Sequence, residues 1–134
     1  MLRRLDDICF AAGQITPEQV PALKAAGVTT IVNNRPDGEE PGQPLATEIE
    51  AAARDAGIAY RAVPISRGIG PAEVEATRAA IEAAADKVLL FCRSGARSTL
   101  VWALARRAQG ASVEEIEKGA ESAGVSLEPI RHLL

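Results

Sequence analysis

Short runs rich in leucine and β-branched residues alternate along this chain with longer stretches in which alanine and other apolar residues recur every three or four positions. The first pattern is that of buried strands and the second that of helices with one buried face. "ICFAAGQ" is a short apolar run ending in glycine. In "ITPEQVPALKAAG", Thr16 precedes Pro17 and has Gln19 three positions on, a capping box with proline at the first helical position, and Gly27 is the stop. Val28 to Asn34 reads as a strand. "RPDGEEPGQP", with three prolines and two glycines in ten residues, is a loop. "LATEIEAAARDAG" predicts a helix closed near Gly57, "IAYRAVPI" a strand, and "SRGIGP" a second loop whose Pro71 opens the helix "AEVEATRAAIEAAAD". "KVLLF" is the next strand. A helix follows from Ser98 to about Gln109, stopped by Gly110, and Ser112 with Glu115 caps another. A last short helix is expected from Leu127 onward.

Strand and helix thus alternate four times, which predicts an α/β fold: a mostly parallel central sheet with helices on both faces. In such sheets the functional groups gather in the loops that leave the carboxyl ends of the strands. Here those loops are "NNRPDGEE", "SRGIG" and "CRSGARS". The 134 residues suit one domain spanning 1–134, and 47% hydrophobic with 25% charged residues is an ordinary globular balance. A net charge of −3 and only four aromatic side chains argue against a nucleic-acid partner. No apolar run nears the roughly 18 residues of a membrane span, and Asp6 and Asp7 interrupt the start, so no membrane partner and a cytoplasmic location are expected. The two cysteines, Cys9 and Cys92, are then expected to be unpaired. Nothing in the composition sets an oligomeric state.

The segment "VLLFCRSGARSTLVWALARR" carries the chemistry. A strand delivers Cys92 to a sheet edge and a helix begins just beyond it. Between them the backbone N–H groups of Arg93, Ser94, Gly95, Ala96, Arg97 and Ser98 curl around a hollow, with Gly95 permitting the turn. A nest of this kind at a helix N-terminus binds anions and favours a thiolate. Arg97 can swing over the hollow as a bidentate clamp, Ser98 can donate to the sulfur, and Arg93 lends its N–H while its side chain points outward. Cys9, in "ICFAAG", reads as a buried hydrophobe. Trp102 and Leu104 read as core.

"CRSGAR" resembles the Cys-x4-Arg loop of rhodanese sulfurtransferases and is one residue shorter than the loop of protein tyrosine and dual-specificity phosphatases. Over Gly13 to Ala105 the chain is similar to the phosphatase-like domain of the beta-lactamase-hydrolase-like proteins, through "GQITPEQVPALKAAGVTTIVNNRPDGEEPGQP", "YRAVPIS" and "VLLFCRSGARSTLVWAL". That resemblance implies the tyrosine/dual-specificity phosphatase fold, with Cys92 as nucleophile and Arg97 as anion clamp. It also implies two described activities, phosphate hydrolysis and sulfur transfer in sulfide and persulfide metabolism.

A phosphatase needs an acid near the leaving oxygen. The loop in which dual-specificity phosphatases carry it, here "PISRGIGPAEV", has no aspartate. Glu73 falls in a first helical turn, and Asp37 in "PDG" is read either as a catalytic acid or as a turn residue. Sulfur transfer, which forms a Cys92 persulfide and expels an anion, needs no acid and is the preferred reading. Phosphate hydrolysis is the alternative, and a non-catalytic anion- or persulfide-sensing module is a third. The substrate is a small anion, a sulfane sulfur donor or a phosphate ester. Asn34 and Arg35 are read as substrate-binding groups or as a buttress of the loop, and Arg67 as a source of positive potential. His132 has no His, Cys or carboxylate cluster around it, so no metal or other cofactor is expected.

Overall fold

The computed structural model describes residues 2–134. Five strands, β1 (Arg3–Arg4), β2 (Cys9–Ala12), β3 (Val28–Asn33), β4 (Ala59–Ala62) and β5 (Lys87–Phe91), form one sheet in the order β1-β2-β5-β3-β4. Only the β1–β2 pairing is antiparallel, and the other three are parallel. The helices are α1 (Val20–Ala25), α2 (Ala46–Asp55), α3 (Pro71–Ala83), α4 (Ala96–Ala108) and α5 (Val113–Ala123). A 3-10 turn at Pro17–Gln19 precedes α1 and another, Glu128–Leu133, follows α5.

Both faces of the sheet are covered, which is why β5 can be apolar throughout. Val88 and Leu90 of β5 pack with Trp102, Leu104 and Ile116 on the face of α3, α4 and α5, whereas Leu89 and Phe91 pack with Val20, Leu23 and Ile49 on the face of α1 and α2. Burying each such side chain stabilises the fold by about 1.5–3 kcal/mol. The predicted α/β class and the helices on both faces are therefore seen in the structure. The capping box at Ser112 closes, Ser112 Oγ accepting the Glu115 N–H and Glu115 Oε1 the Ser112 N–H, both at 3.1 Å, whereas at Thr16 only the return half forms, Gln19 Oε1 accepting the Thr16 N–H at 2.9 Å.

Three details depart from the sequence pattern. Two adjacent arginines form β1, a strand created by pairing with Phe10 and Ala11 rather than by propensity. α4 starts at Ala96, two residues before Ser98, because Gly95 takes φ +96° and caps it. The last helix is a 3-10 turn, not an α-helix. The parallel register places Ala12, Asn33 and Phe91 side by side at the carboxyl ends of their strands. The residues that follow, Gly13, Asn34 and Cys92, consequently share one rim.

Candidate active site

Cys92 steps off β5 with its N–H donating to the Ala12 carbonyl at 3.3 Å, and only 1% of the residue is exposed. The loop after it is shaped from outside. The Arg93 carbonyl accepts the Gln14 N–H at 3.2 Å, and the Ser94 carbonyl accepts a hydrogen bond from Arg3 Nη2. Arg3 also donates through Nη1 to the Ala123 carbonyl at 3.1 Å, so β1 staples the loop to the end of α5. With the carbonyls turned outward, the N–H groups turn inward toward the sulfur. Gly95 donates its N–H to Cys92 Sγ at 3.0 Å. Gly95 needs glycine for its φ of +96°, where a Cβ would also meet the Arg3 guanidinium, and a Cβ at Gly13 would lie a tight 3.0 Å from the Arg93 carbonyl.

Burial alone pushes the Cys92 thiol up. Hydrogen bonds from the Ser98 N–H and hydroxyl, and from the Gly95 and Ser94 N–H groups, outweigh it and bring the pKa below the usual thiol value. The Ser98 hydroxyl has one hydrogen, and here it goes to Asn34 Oδ1 at 2.8 Å. The Ser98 backbone N–H is then its steadier contribution to the thiolate, and the hydroxyl can turn to the sulfur when Asn34 releases it.

Arg97 is held by its end. Nη1 and Nη2 donate to Glu39 Oε2 and Oε1 at 2.7 and 2.8 Å, and Nη1 also donates to the Ile65 carbonyl at 2.7 Å. Of the five guanidinium hydrogens these bonds use three, and the Nε–H with the second Nη2 hydrogen remains as a side-on pair. Glu39 foremost, and Cys92 within hydrogen-bonding reach, raise the Arg97 pKa against the opposing effect of burial.

Glu39 is itself gripped by two arginines, since Arg35 Nε donates to its Oε1 at 3.0 Å. Arg97 first, then Arg35, pull its pKa down to about 2 against a smaller upward push from burial. Arg35 is almost wholly buried and completes its set with Glu40 Oε1 at 2.8 Å and Gln14 Oε1 at 3.0 Å. Asn34, fully buried, donates through Nδ2 to the Val63 carbonyl at 2.9 Å while accepting from Ser98. Of the two roles read for Asn34 and Arg35, their contacts are those of a buttress under the loop.

Asp37 Oδ1 accepts the Ala46 N–H at 2.8 Å, the contact of a turn and helix-start residue. Glu73 Oε1 accepts the Gly70 N–H at 2.8 Å and caps α3. Arg93 points outward, 3.8 Å from Glu40 Oε2, and Arg67 is exposed. Ser94 Oγ accepts the Ala96 N–H at 3.3 Å, helping to set the turn. Cys9 is fully buried, and burial with the nearby Asp6 charge pushes its thiol up to about 12. Among the described residues no group of three His, Cys, Asp or Glu side chains could hold a metal ion. No helix among them is long and apolar enough to cross a membrane.

Four residues of this site escaped the sequence reading: Gln14, Glu39, Glu40 and Arg3. The signal for two of them was available as charge complementarity, because "GEE" faces the arginines of "CRSGAR" across the rim. Nothing in "MLRRLDD" marked Arg3.

Residues 2–110 match the family described as beta-lactamase hydrolase-like protein, phosphatase-like domain. A beta-lactamase hydrolase-like protein of Xylella fastidiosa is 39% identical over 100 residues, covering 74% of this chain and 23% of that protein. The chain spans about a quarter of the length of such relatives. A candidate phosphatase from Neisseria meningitidis, of known crystal structure, is 35% identical with a TM-score of 0.83, over 98% of this chain and 94% of that one. PTPMT1, at 15% identity and TM-score 0.75 over 98% and 92% of the two chains, shares the fold.

Proposed function

This chain belongs to the beta-lactamase hydrolase-like family as its phosphatase-like domain, and from that premise we propose that it hydrolyses phosphate monoesters through a cysteinyl-phosphate at Cys92. The carrying observation is the buried Cys92 sulfur, its pKa lowered by inward N–H donors, with the Arg97 guanidinium within hydrogen-bonding reach. The thiolate forms a bond to phosphorus as the ester oxygen leaves with its electron pair. Water then attacks the phosphorus, and the sulfur departs as thiolate, restored for the next turnover. The N–H nest and Arg97 hold the equatorial oxygens on which charge is spread in both steps.

The family and the Neisseria relative are both named for phosphatase chemistry, which moves hydrolysis ahead of the sulfur transfer preferred from sequence. One observation supports sulfur transfer as the second reading. The carboxylates of the loops around the rim make other contacts: Glu39 and Glu40 bond to arginines, Asp37 accepts the Ala46 N–H and Glu73 caps α3. Under the phosphatase reading the substrate is therefore one with an acidic leaving group, such as a phenol.

The deciding experiment compares an aryl phosphate with thiosulfate on wild type and Cys92→Ser. Phosphate release that falls by at least about a thousandfold in Cys92→Ser is the expected result. Thiocyanate formation from thiosulfate and cyanide, with no phosphate release, would replace this function with sulfur transfer.

A further inference from the structure

Arg97 belongs to two places at once. Besides closing the anion cradle, it lines a cleft of about 390 Å³ between the loop after β4 and the 3-10 turn at 128–133, and Leu100 continues the floor one helical turn on. A second cleft of about 440 Å³ runs on between α3 and the same turn, over Leu104 and Arg107. Ile69 and Leu133 line both, so the two form one groove. Arg97, Leu100, Leu104 and Arg107 follow one another at spacings of three, four and three residues, a single face of α4. From first to last that face spans about 15 Å at ~1.5 Å per residue.

The groove is apolar where it leaves the site. Ile65, Ile69, Leu100, Pro129 and Ile130 line it there, no carboxylate lines this half, and its polar side chains besides Arg97 are those of Ser66 and His132. In the far half, Val74 and Leu104 continue the apolar surface, and Glu75 is neutralised by Arg78. Leu133 stands at the junction with 52% of its surface in water, a large apolar side chain that the core does not use.

We propose that this groove holds a hydrocarbon chain on the leaving group, so that the domain selects phosphate monoesters with one anionic head and an extended apolar tail. The proposal rests on the phosphatase reading of Cys92. Continuity carries it: Arg97, which lies within hydrogen-bonding reach of Cys92, also lines the cleft, so the groove begins at a side chain of the cradle. Chemistry selects a hydrocarbon over a peptide, because a peptide would bring backbone donors and acceptors that Ile65, Ile69, Leu100, Leu104 and Leu133 cannot satisfy. Each methylene fully buried in such a groove is worth about 0.8 kcal/mol, or about fourfold in kcat/KM.

The test is a series of 4-n-alkylphenyl phosphates, methyl to octyl, below their micelle concentrations. Leaving-group acidity is constant along the series and only the tail changes. We expect kcat/KM to rise by at least about tenfold from methyl to butyl, allowing for partial burial, and the octyl-to-methyl ratio to fall by about the same factor in Leu133→Asp. A flat series with the methyl ester still hydrolysed overturns the groove and leaves the phosphatase intact, as does a ratio unchanged in Leu133→Asp. If no ester is hydrolysed, the phosphatase reading fails. Calorimetry of the same esters on Cys92→Ser then judges the groove separately: affinity rising with chain length upholds it, and constant affinity overturns it.

Discussion

Glu39→Gln removes one charge while keeping the shape of the side chain, and it separates two roles that the Glu39–Arg97 pair could have. A carboxylate that orients Arg97 aids catalysis, whereas one that occupies the anion site opposes it. In wild type the two carboxylate oxygens accept from Arg97 Nη1 at 2.7 Å, Arg97 Nη2 at 2.8 Å and Arg35 Nε at 3.0 Å. Glutamine offers one oxygen for all three and turns an NH2 group toward a guanidinium. The fall in the Glu39 pKa from 4.5 to about 2 sets a ceiling of ~3 kcal/mol on its contribution to stability at neutral pH. Solvent reaches this carboxylate, and screening reduces the figure to on the order of 1–2 kcal/mol. The folded-state pKa is depressed, so the contribution is fully present above pH 4.5 and is lost as pH falls toward 2. Wild type should lose stability across that window, and Glu39→Gln, weaker at pH 7, should show a flatter profile there. In Glu39→Gln, Arg97 keeps the Ile65 carbonyl as its one undisturbed anchor, and a misaligned clamp should lower kcat/KM on an aryl phosphate by about 10- to 100-fold. Most of the loss should fall in kcat, where charge on the transferring group is greatest. The assay is steady-state phosphate release, paired with urea unfolding from pH 7 to pH 3. Faster turnover, or tighter inhibition by inorganic phosphate, in Glu39→Gln would refute the orienting role and make the carboxylate a competitor.

Gly95→Ala should cost about 1–3 kcal/mol by denaturant unfolding, since it forces a side chain into positive φ and against Arg3, and turnover should fall with it. Iodoacetamide at pH 7 should label Cys92 and spare Cys9, with a rate that titrates below the usual thiol pKa. Peptide mass mapping checks this, and equal labelling would contradict the nest of donors. Asp6 accepts the Trp102 indole N–H at 2.8 Å and Arg106 Nε at 2.9 Å. Burial pushes its carboxyl up, but Arg106 and three further donors prevail and hold the pKa below 3.8. Asp6→Asn should lose about 2–3 kcal/mol at neutral pH, followed by Trp102 fluorescence, and the difference from wild type should shrink as pH falls through the folded-state pKa.

The strand-to-helix break at Cys92 was legible because its causes are local. An apolar run, a glycine at the turn and an arginine five positions after the cysteine lie within one short segment, and each constrains the backbone next to it. The same holds for the capped helices and for the alternation that sets the α/β class. Asp37 shows the limit of this. "PDG" is compatible with a turn or an acid, and what separates the two is the Ala46 N–H, which comes within 2.8 Å only when α2 folds back over the loop. Glu39 and Arg97 are 58 positions apart, and Arg3 and Ser94 are 91. No periodicity relates such pairs, and the "RPDGEEPGQP" loop has no periodicity of its own. The sequence alone determined the cysteine at the strand's end, the donor-rich turn after it and the sheet edge that carries them, since these follow from neighbouring residues. Only the tertiary structure decided that Glu39 grips Arg97, that Asn34 and Arg35 lie under the loop and that Arg3 ties the loop to α5, because each depends on distant segments meeting at one rim.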